Sequence, residues 1–156
     1  MSVSFSNLLT PNNYPTNQRA VIDNNFVQVV ALNAANTTAT NTNAIDLLQA
    51  TPYPTTEIIN VQVAIGAVAN GLGPTNSKNI NAVIQTSADN STWANSTIYA
   101  TPLLVASSTA NGLITAVSAN IKLAPGEIRY IRAQFAGEAG GGTTNNALLG
   151  TLQLLF

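Results

Sequence analysis

Short segments in which apolar and polar residues alternate are the feature that most restricts how this chain folds. The clearest are residues 60–66 (NVQVAIG), 80–87 (INAVIQTS) and 128–136 (IRYIRAQFA). Alternation with a period of two places one set of side chains on a core and the other toward solvent, as in a half-buried β-strand. Asn-Gly, Gly-Pro and Pro-Gly dipeptides, which form turns, lie between such segments. The pattern predicts a protein built from β-strands.

About eight strands are expected at spacings of roughly 8 to 15 residues, without a strong helix. Besides the three alternating segments, the expected strands are residues 43–49, 103–106, 113–117, 120–123 and 147–156, and a return strand with Ile98 and Tyr99. This spacing favours an all-β, antiparallel β-sandwich. We expect the jelly-roll type. An immunoglobulin-like sandwich has similar hairpin spacing, but the chain has no cysteine and so lacks one immunoglobulin marker.

Residues 1–42 are rich in Asn, Thr and Pro, and we expect them to form an extended N-terminal arm before a sandwich domain at residues 43–156. An apolar stretch at residues 26–32 (FVQVVAL) is long enough for one strand. A short helix from Arg19 to Leu32 is a weaker alternative, because Asn and β-branched residues have low helix propensity. Burial of such an arm does not offset the entropy of ordering it. The arm is therefore either a partner-binding segment or a disordered tail.

The only tryptophan, Trp93, follows a predicted turn at residues 88–91 (ADNS). Asp, Asn and Ser side chains hydrogen-bond to nearby backbone and so help to reverse a strand. We expect Trp93 to close one end of the sandwich core, because large aromatic side chains bury much apolar area. The alternative is an exposed indole that stacks on a sugar or docks a partner.

Composition excludes several classes of chemistry. The chain has no His and no Cys, which removes the usual general base, thiolate catalysis and the commonest metal ligands. The six acids are spread along the sequence and show no paired-carboxylate spacing; they are Asp23, Asp46, Glu57, Asp89, Glu127 and Glu138. We predict that the protein is not an enzyme, and that it has no catalytic residues, no metal site and no cofactor.

Charge is sparse, since only 7% of residues are charged and the formal net charge is −1. Five cations give no basic surface for a phosphate backbone, so we expect no nucleic acid partner. No apolar run reaches the roughly 18 residues of a membrane helix, so we expect no membrane association. Asn and Thr supply about a quarter of the chain, which predicts a polar, uncharged surface.

Two of the predicted strands lie in the last third of the chain. In residues 128–136 the inward set is Ile131, Ala133 and Phe135, and the outward set is Tyr130, Arg132 and Gln134. The charges of Glu127, Arg129 and Arg132 either pair at the surface or contact a partner. A glycine loop at residues 137–146 leads to a final strand whose inward residues are Leu148, Leu152, Leu154 and Phe156.

Three stretches resemble the jelly-roll capsid cement proteins of tailed phages, and most of all the Bordetella podophage type. They are NAIDLLQATPYPTTEIINVQVAI, QTSADNSTW and PGEIRYIRAQF, and the resemblance covers residues 43–156. It implies a decoration protein that binds the major capsid protein on the outer surface of the virion head and stabilises the shell. It also implies assembly in the host cytoplasm and no catalytic residues. Shell proteins of this kind are commonly symmetric homo-oligomers, so we expect a homodimer or homotrimer.

Four residues are candidate contacts with the capsid or another partner: Phe26 and Val29 in the arm, and Tyr130 and Arg132 on the outward face of a strand. Two other functions stay open at this point. One is a carbohydrate-binding β-sandwich module that uses exposed aromatic residues such as Trp93, Tyr53 or Tyr99. The other is a phage tail or fibre subunit, which has a similar β-rich, Asn/Thr-rich composition.

Overall fold

The computed structural model describes residues 27–32, 38–47, 60–123, 129–141 and 148–155. Within these ranges every regular element is a β-strand. The strands are β1 (Val27–Ala31), β2 (Thr40–Asn41), β3 (Ile45–Asp46), β4 (Asn60–Ile65), β5 (Asn79–Ser87), β6 (Ala94–Asn95), β7 (Leu104–Ser107), β8 (Val117–Lys122), β9 (Tyr130–Gly137) and β10 (Leu149–Leu155).

The strands form two antiparallel sheets. The first has the order β1-β10-β4-β8. In the second, β9 and β5 are the central pair, with β2 and β3 along the outer edge of β9 and β6 and β7 along the outer edge of β5. If each pair of short strands is counted as one edge position, the order is that of a jelly roll. The predicted all-β sandwich is confirmed.

The core lies between the two sheets and is built by the alternation seen in the sequence. Its buried residues on β4 and β9 are Val61, Val63, Ile65, Ile131, Ala133 and Phe135, and on β5 they are Ile80, Ala82 and Ile84. Cross-strand register keeps each set on one face; for example, Val63 lies opposite both Leu152 and Ala119. The predicted inward faces of these strands are therefore confirmed.

Gly150 in β10 marks a close approach between the two sheets. A Cβ atom at this position would lie 2.6 Å from Cε2 and 2.7 Å from Cζ of Phe135, which projects from β9 in the other sheet. Phe135 is fully buried. A glycine inside a strand commonly marks such a close contact, and here the missing side chain gives the phenylalanine ring its space.

At one end of the sandwich, the β4–β5 connection is tied to the β7–β8 connection by backbone hydrogen bonds. Val68 and Ile114 exchange N–H···O bonds of 3.0 and 3.1 Å, and the Gly73 N–H donates to the Gly112 carbonyl at 2.9 Å. Gly112 has φ +77°, and a Cβ there would lie 2.6 Å from the Gly73 oxygen. These long connections are therefore fixed to each other.

Residues 27–32 and 38–42 differ from the expected arm. β1 pairs with β10 over its full length, β2 pairs with β9, and Thr42 is buried. The physical reason is that the Val-rich segment adds a strand to the edge of β10, where its backbone groups are satisfied. The helix alternative is wrong for Val27–Ala31. Residues 1–26, including Phe26, lie outside the described residues.

The predicted return strand is also wrong in its position. Only Ala94–Asn95 pairs with the end of β5, and Ile98 and Tyr99 lie in a bend. The beginning of β5 pairs instead with β7. In addition, the two strands expected at residues 113–117 and 120–123 are replaced by one strand, β8, which is preceded by the isolated bridges of Ile114.

Candidate functional site

The turn that follows β5 is organised by the Asp89 carboxylate. It accepts hydrogen bonds from the Thr92 N–H at 2.8 Å, the Ser91 N–H at 2.9 Å and the Ser87 hydroxyl at 2.9 Å. The backbone hydrogen bonds from Thr92 and Ser91 lower the pKa of Asp89 far below its usual value of 3.8. The turn predicted from the sequence is confirmed, and it fixes the approach of the chain to Trp93.

Four side chains next to this turn form one connected group on the outer face of the second sheet. Asn95, Gln85 and Arg132 lie opposite one another on β6, β5 and β9. Gln85 Nε2 donates to Asn95 Oδ1 at 3.0 Å, and Arg132 Nε donates to Gln85 Oε1 at 2.8 Å. The Arg132 guanidinium carbon lies 4.2 Å from the centroid of the Trp93 ring. We call Trp93, Arg132, Gln85 and Asn95 the Trp93 platform.

Trp93 therefore does not close the core, as the sequence analysis expected. It is half-buried and packs against a cation on the outer face of the sheet. The reason is its position two residues before Asn95, which places both side chains on the outward side of the chain that returns along β5. The core at this level is filled by aliphatic residues such as Ile84 and Ile131.

Burial in the Trp93 platform lowers the pKa of Arg132, since a cation is less stable where water is excluded. The guanidinium remains charged, because even a lowered arginine pKa is far above neutral. Within the described ranges, the hydrogen bond to Gln85 is the only one that the Arg132 side chain donates, and no carboxylate lies within ion-pair distance of it. The platform thus holds a fixed cation that lacks an anionic partner among these residues.

Arg129, at the start of β9, has such a partner. Its Nε and Nη2 donate to the two carboxylate oxygens of Asp46 at 2.9 and 2.8 Å, and its guanidinium lies 5.0 Å from the Tyr130 ring centroid. The hydrogen bond to Asp46 raises the pKa of Arg129. Of the charges expected to pair or to contact a partner, Arg129 pairs with Asp46, and Glu127 lies outside the described residues.

The opposite face of the sandwich, on the first sheet, carries a shallow apolar depression of about 360 Å³. Its rim includes Val29, which is 53% exposed, and Leu149, which is 43% exposed. Between them the lining includes several small residues, and Ile65 and Val117 complete it; the small residues are Ala64, Gly66, Ala116, Ser118 and Thr151. We call this the Val29 depression. It is open because small side chains lie between the two larger ones.

Beside the Val29 depression, three amide side chains form a row across β10, β4 and β8. Gln153 Nε2 donates to Gln62 Oε1 at 2.6 Å, and Gln62 Nε2 donates to Asn120 Oδ1 at 2.9 Å. The row lies on the outward face in register. The outer face of the first sheet therefore carries apolar and amide side chains together with the cation Lys122, which is exposed at the end of β8.

The structure separates the predicted contact residues into two groups. Tyr130 and Arg132 lie on the outer face of the second sheet, whereas Val29 lies on the outer face of the first. Gln85, Asn95 and Leu149 were not among the predicted contacts. Leu149 lies in a predicted strand and is exposed, but Gln85 is buried, and nothing local in the sequence shows that it links Asn95 to Arg132.

The described residues contain neither a metal-binding cluster nor a membrane-spanning helix. The described part of the chain contains no group of three or more acidic, His or Cys residues that could hold a metal ion. It also contains no helix of the length and hydropathy needed to cross a membrane. The fold and its two outer faces define a jelly-roll β-sandwich with candidate contact residues on both sides.

Similarity to known proteins is found among solved structures. No family model matches the sequence, and no curated protein matches it. Among solved structures, the chain is similar to the crystal structure of PBSX exported protein XepA, with 19% sequence identity and a TM-score of 0.41. The similarity covers 81% of this chain and 36% of that one, so the chain spans little more than a third of that protein's length.

Proposed function

We propose that this protein is a phage capsid cement protein, which binds the outside of the icosahedral head and bridges major capsid subunits. The observation that carries the proposal is the separation of the candidate contacts onto opposite faces of one rigid sandwich. A protein that joins two neighbours needs two surfaces that can be occupied at the same time. The resemblance of residues 43–156 to jelly-roll cement proteins supports the same function.

The two faces differ in chemistry, which suits different contacts. The Trp93 platform, with Tyr130 nearby, offers the residue types that contribute most to protein interfaces, namely Trp, Tyr and Arg. The Val29 depression and its amide row offer apolar area and uncharged hydrogen-bonding groups. Weak contacts on each face become strong when many copies bind one lattice, because each bound face raises the local concentration of the other.

The partners proposed here are the major capsid protein and further copies of this chain, as a homodimer or homotrimer. The proposed location is the outer surface of the virion head, reached after assembly in the host cytoplasm. Residue Phe26 stays a predicted contact.

The first test is quantitative mass spectrometry of purified particles of the phage that encodes this chain. A roughly equimolar ratio to the major capsid protein is expected, because a cement protein occupies the whole lattice. A few copies per particle would instead indicate a tail or fibre subunit. Absence from the particle would refute both structural roles.

A second test addresses bridging through two faces. Val29→Asp and Arg132→Ala each change one face, and each is expected to reduce binding to particles that lack the protein. Leu113→Asp is the matched control, because Leu113 is also a large exposed apolar residue but lies on the β7–β8 connection. If only one face matters, one of the two variants will bind as well as the control, and bridging is refuted.

A carbohydrate-binding module is a second candidate, favoured by one observation. Trp93 lies on an outer face beside the amide groups of Gln85 and Asn95, and aromatic rings next to hydrogen-bonding side chains are typical of sugar sites. Since Trp93 is the only tryptophan, its fluorescence reports on this site alone. Titration with a broad panel of neutral sugars tests the idea, and an unchanged spectrum throughout would exclude it.

A further inference from the structure

Two arginines lie close together at β9 in different electrostatic environments. Arg129 donates two hydrogen bonds to Asp46, so its charge is balanced. Arg132 donates one hydrogen bond, to the neutral amide of Gln85, and packs on the Trp93 ring. Neither contact of Arg132 neutralises its charge. In a chain with only five cations, a positioned cation without a counter-ion among the described residues calls for an explanation.

The guanidinium of Arg132 is held in place before any partner arrives. The hydrogen bonds from Arg132 to Gln85 and from Gln85 to Asn95 fix its Nε edge, and the indole supports its plane. An arginine with a free side chain loses much conformational entropy on binding, so a prearranged one binds its partner at lower cost. Such an arrangement is more typical of a guanidinium that binds a partner than of one that only contacts water.

The two terminal amino groups of the Arg132 guanidinium determine which partner fits. Because Nε is engaged with Gln85, the two terminal amino groups remain, and they match the two oxygens of a carboxylate in a planar, bidentate contact. A nucleic acid backbone is a poor fit, since a single cation does not follow a row of phosphates and the net charge is −1.

We propose that the Trp93 platform is a receptor for a carboxylate side chain of the partner protein, with the terminal amino groups of Arg132 as the donors. The identity of that partner as the major capsid protein rests on the proposed function. The carboxylate is then a Glu or Asp exposed on the outer surface of the capsid subunit. Trp93, Gln85 and Asn95 act as positioning residues that hold the guanidinium.

The receptor is tested first without any capsid. The indole N–H of Trp93 gives a single resonance in a ¹H–¹⁵N correlation spectrum, and this resonance is followed during titration with sodium acetate against sodium chloride at equal ionic strength. A saturable shift with acetate alone is expected, lost in Arg132→Ala and reduced in Arg132→Lys, which keeps the charge without the planar fork. Arg129→Ala is the matched control and should respond as the unchanged protein does.

Three outcomes of this titration overturn the proposal. They are equal shifts with acetate and chloride, an acetate response that survives in Arg132→Ala, and a stronger response in Glu127→Gln. The last would show that Glu127, which is outside the described residues, is the carboxylate that already occupies Arg132.

The partner is tested with purified particles that lack the protein. Arg132→Ala is expected to weaken binding at least about tenfold, as removal of one member of a desolvated charge pair commonly does. Arg129→Ala should change it by no more than about twofold. If the unchanged protein binds and Arg132→Ala binds equally well, the carboxylate contact and bridging through the Trp93 platform are both refuted, whereas attachment to the capsid by another surface stands. If the unchanged protein does not bind, the cement function fails, and the acetate titration still decides the receptor.

Discussion

Replacement of Gly150 by alanine is expected to destabilise the protein, because the ring of Phe135 faces this position. In a Gly150→Ala variant the new Cβ would lie 2.6 to 2.9 Å from three carbon atoms of the Phe135 ring. Carbon atoms pack best at roughly 3.5–4.0 Å, so the ring or the strand must move by about 1 Å. Phe135 is fully buried, and a close-packed interior resists such a shift.

The size of the effect follows from two opposing contributions. Overpacking of a core costs about 1–3 kcal/mol of unfolding free energy. Replacing a strand glycine by alanine recovers about 0.5–1 kcal/mol, because glycine loses more backbone entropy on folding. The net loss for Gly150→Ala therefore lies between about 0 and 2.5 kcal/mol, and the contact of the new Cβ with three ring carbons places it in the upper part of that range, at about 1–2.5 kcal/mol. For a domain of this length, that lowers the melting temperature by roughly 2–10 °C.

Urea unfolding followed by circular dichroism measures the loss, and a double-mutant cycle identifies its cause. Phe135→Leu removes the ring atoms that the new Cβ meets, so Gly150→Ala should cost less in that background, with a coupling of about 1 kcal/mol or more. Gly66→Ala is the control, because a Cβ atom at Gly66 would lie no closer than 3.4 Å to any neighbouring atom, the nearest being the carbonyl oxygen of Leu149. The explanation would be refuted by a Gly150→Ala protein of unchanged stability, or by an equal loss in both backgrounds.

Three further predictions concern the ends and edges of the sandwich. Arg129→Ala should lower the unfolding free energy only slightly despite the bidentate contact with Asp46, because solvent screens the pair, whose side chains are 44% and 30% exposed. Chemical denaturation measures this. The pKa of Asp89 is lowered by folding, so its contribution is complete above pH 3.8 and declines as the pH falls below that value. As the pH is lowered from 6 to strongly acidic values, the melting temperature of Asp89→Asn should therefore fall less than that of the unchanged protein. The difference between the two melting temperatures should narrow below about pH 4. Gly112→Ala should destabilise the protein more than Gly71→Ala. Both glycines have positive φ, but a Cβ at Gly112 would lie 2.6 Å from a backbone oxygen, whereas a Cβ at Gly71 would have no atom within 4 Å. Thermal unfolding of the two variants compares them directly.

Strands with long alternation were predicted well because their signal is local. For β4, β9 and β5 as far as Ile84, the inward and outward sets follow from the sequence alone, and the structure places them as expected. At the end of β5 burial departs from the pattern, because Gln85 and Ser87, on the outward side of the alternation, are buried. Strands of two residues carry no period, so β6 and the pairing of β2 with β9 could not be read from the sequence. The edge of β5 is divided between β6 and β7, and the prediction of a single return strand therefore failed.

The candidate site was predicted in part, and what the sequence does not show are the contacts between side chains on different strands. Outward exposure of Tyr130 and Arg132 follows from alternation, but the contact between Arg132 and Trp93 depends on how β9 and β6 flank β5. Indole rings are more often buried than stacked under a cation at a surface, so composition favoured the wrong place for Trp93. Val29 was expected in a separate arm because the residues around its segment are polar, although the segment itself pairs with β10.

The place of β10 between β1 and β4 has a consequence for how the protein is made. β1 pairs with this strand and β4 pairs with it along one edge, so the first sheet is completed only after residues 149–155 have been synthesised, although β4 and β8 can pair before then. Until then β1 and β4 expose unpaired backbone and valine-rich faces, the kind of surface on which partly folded chains aggregate. With only 7% charged residues, little electrostatic repulsion keeps such chains apart. The yield of folded protein is thus expected to depend on how quickly β10 inserts between its two partners.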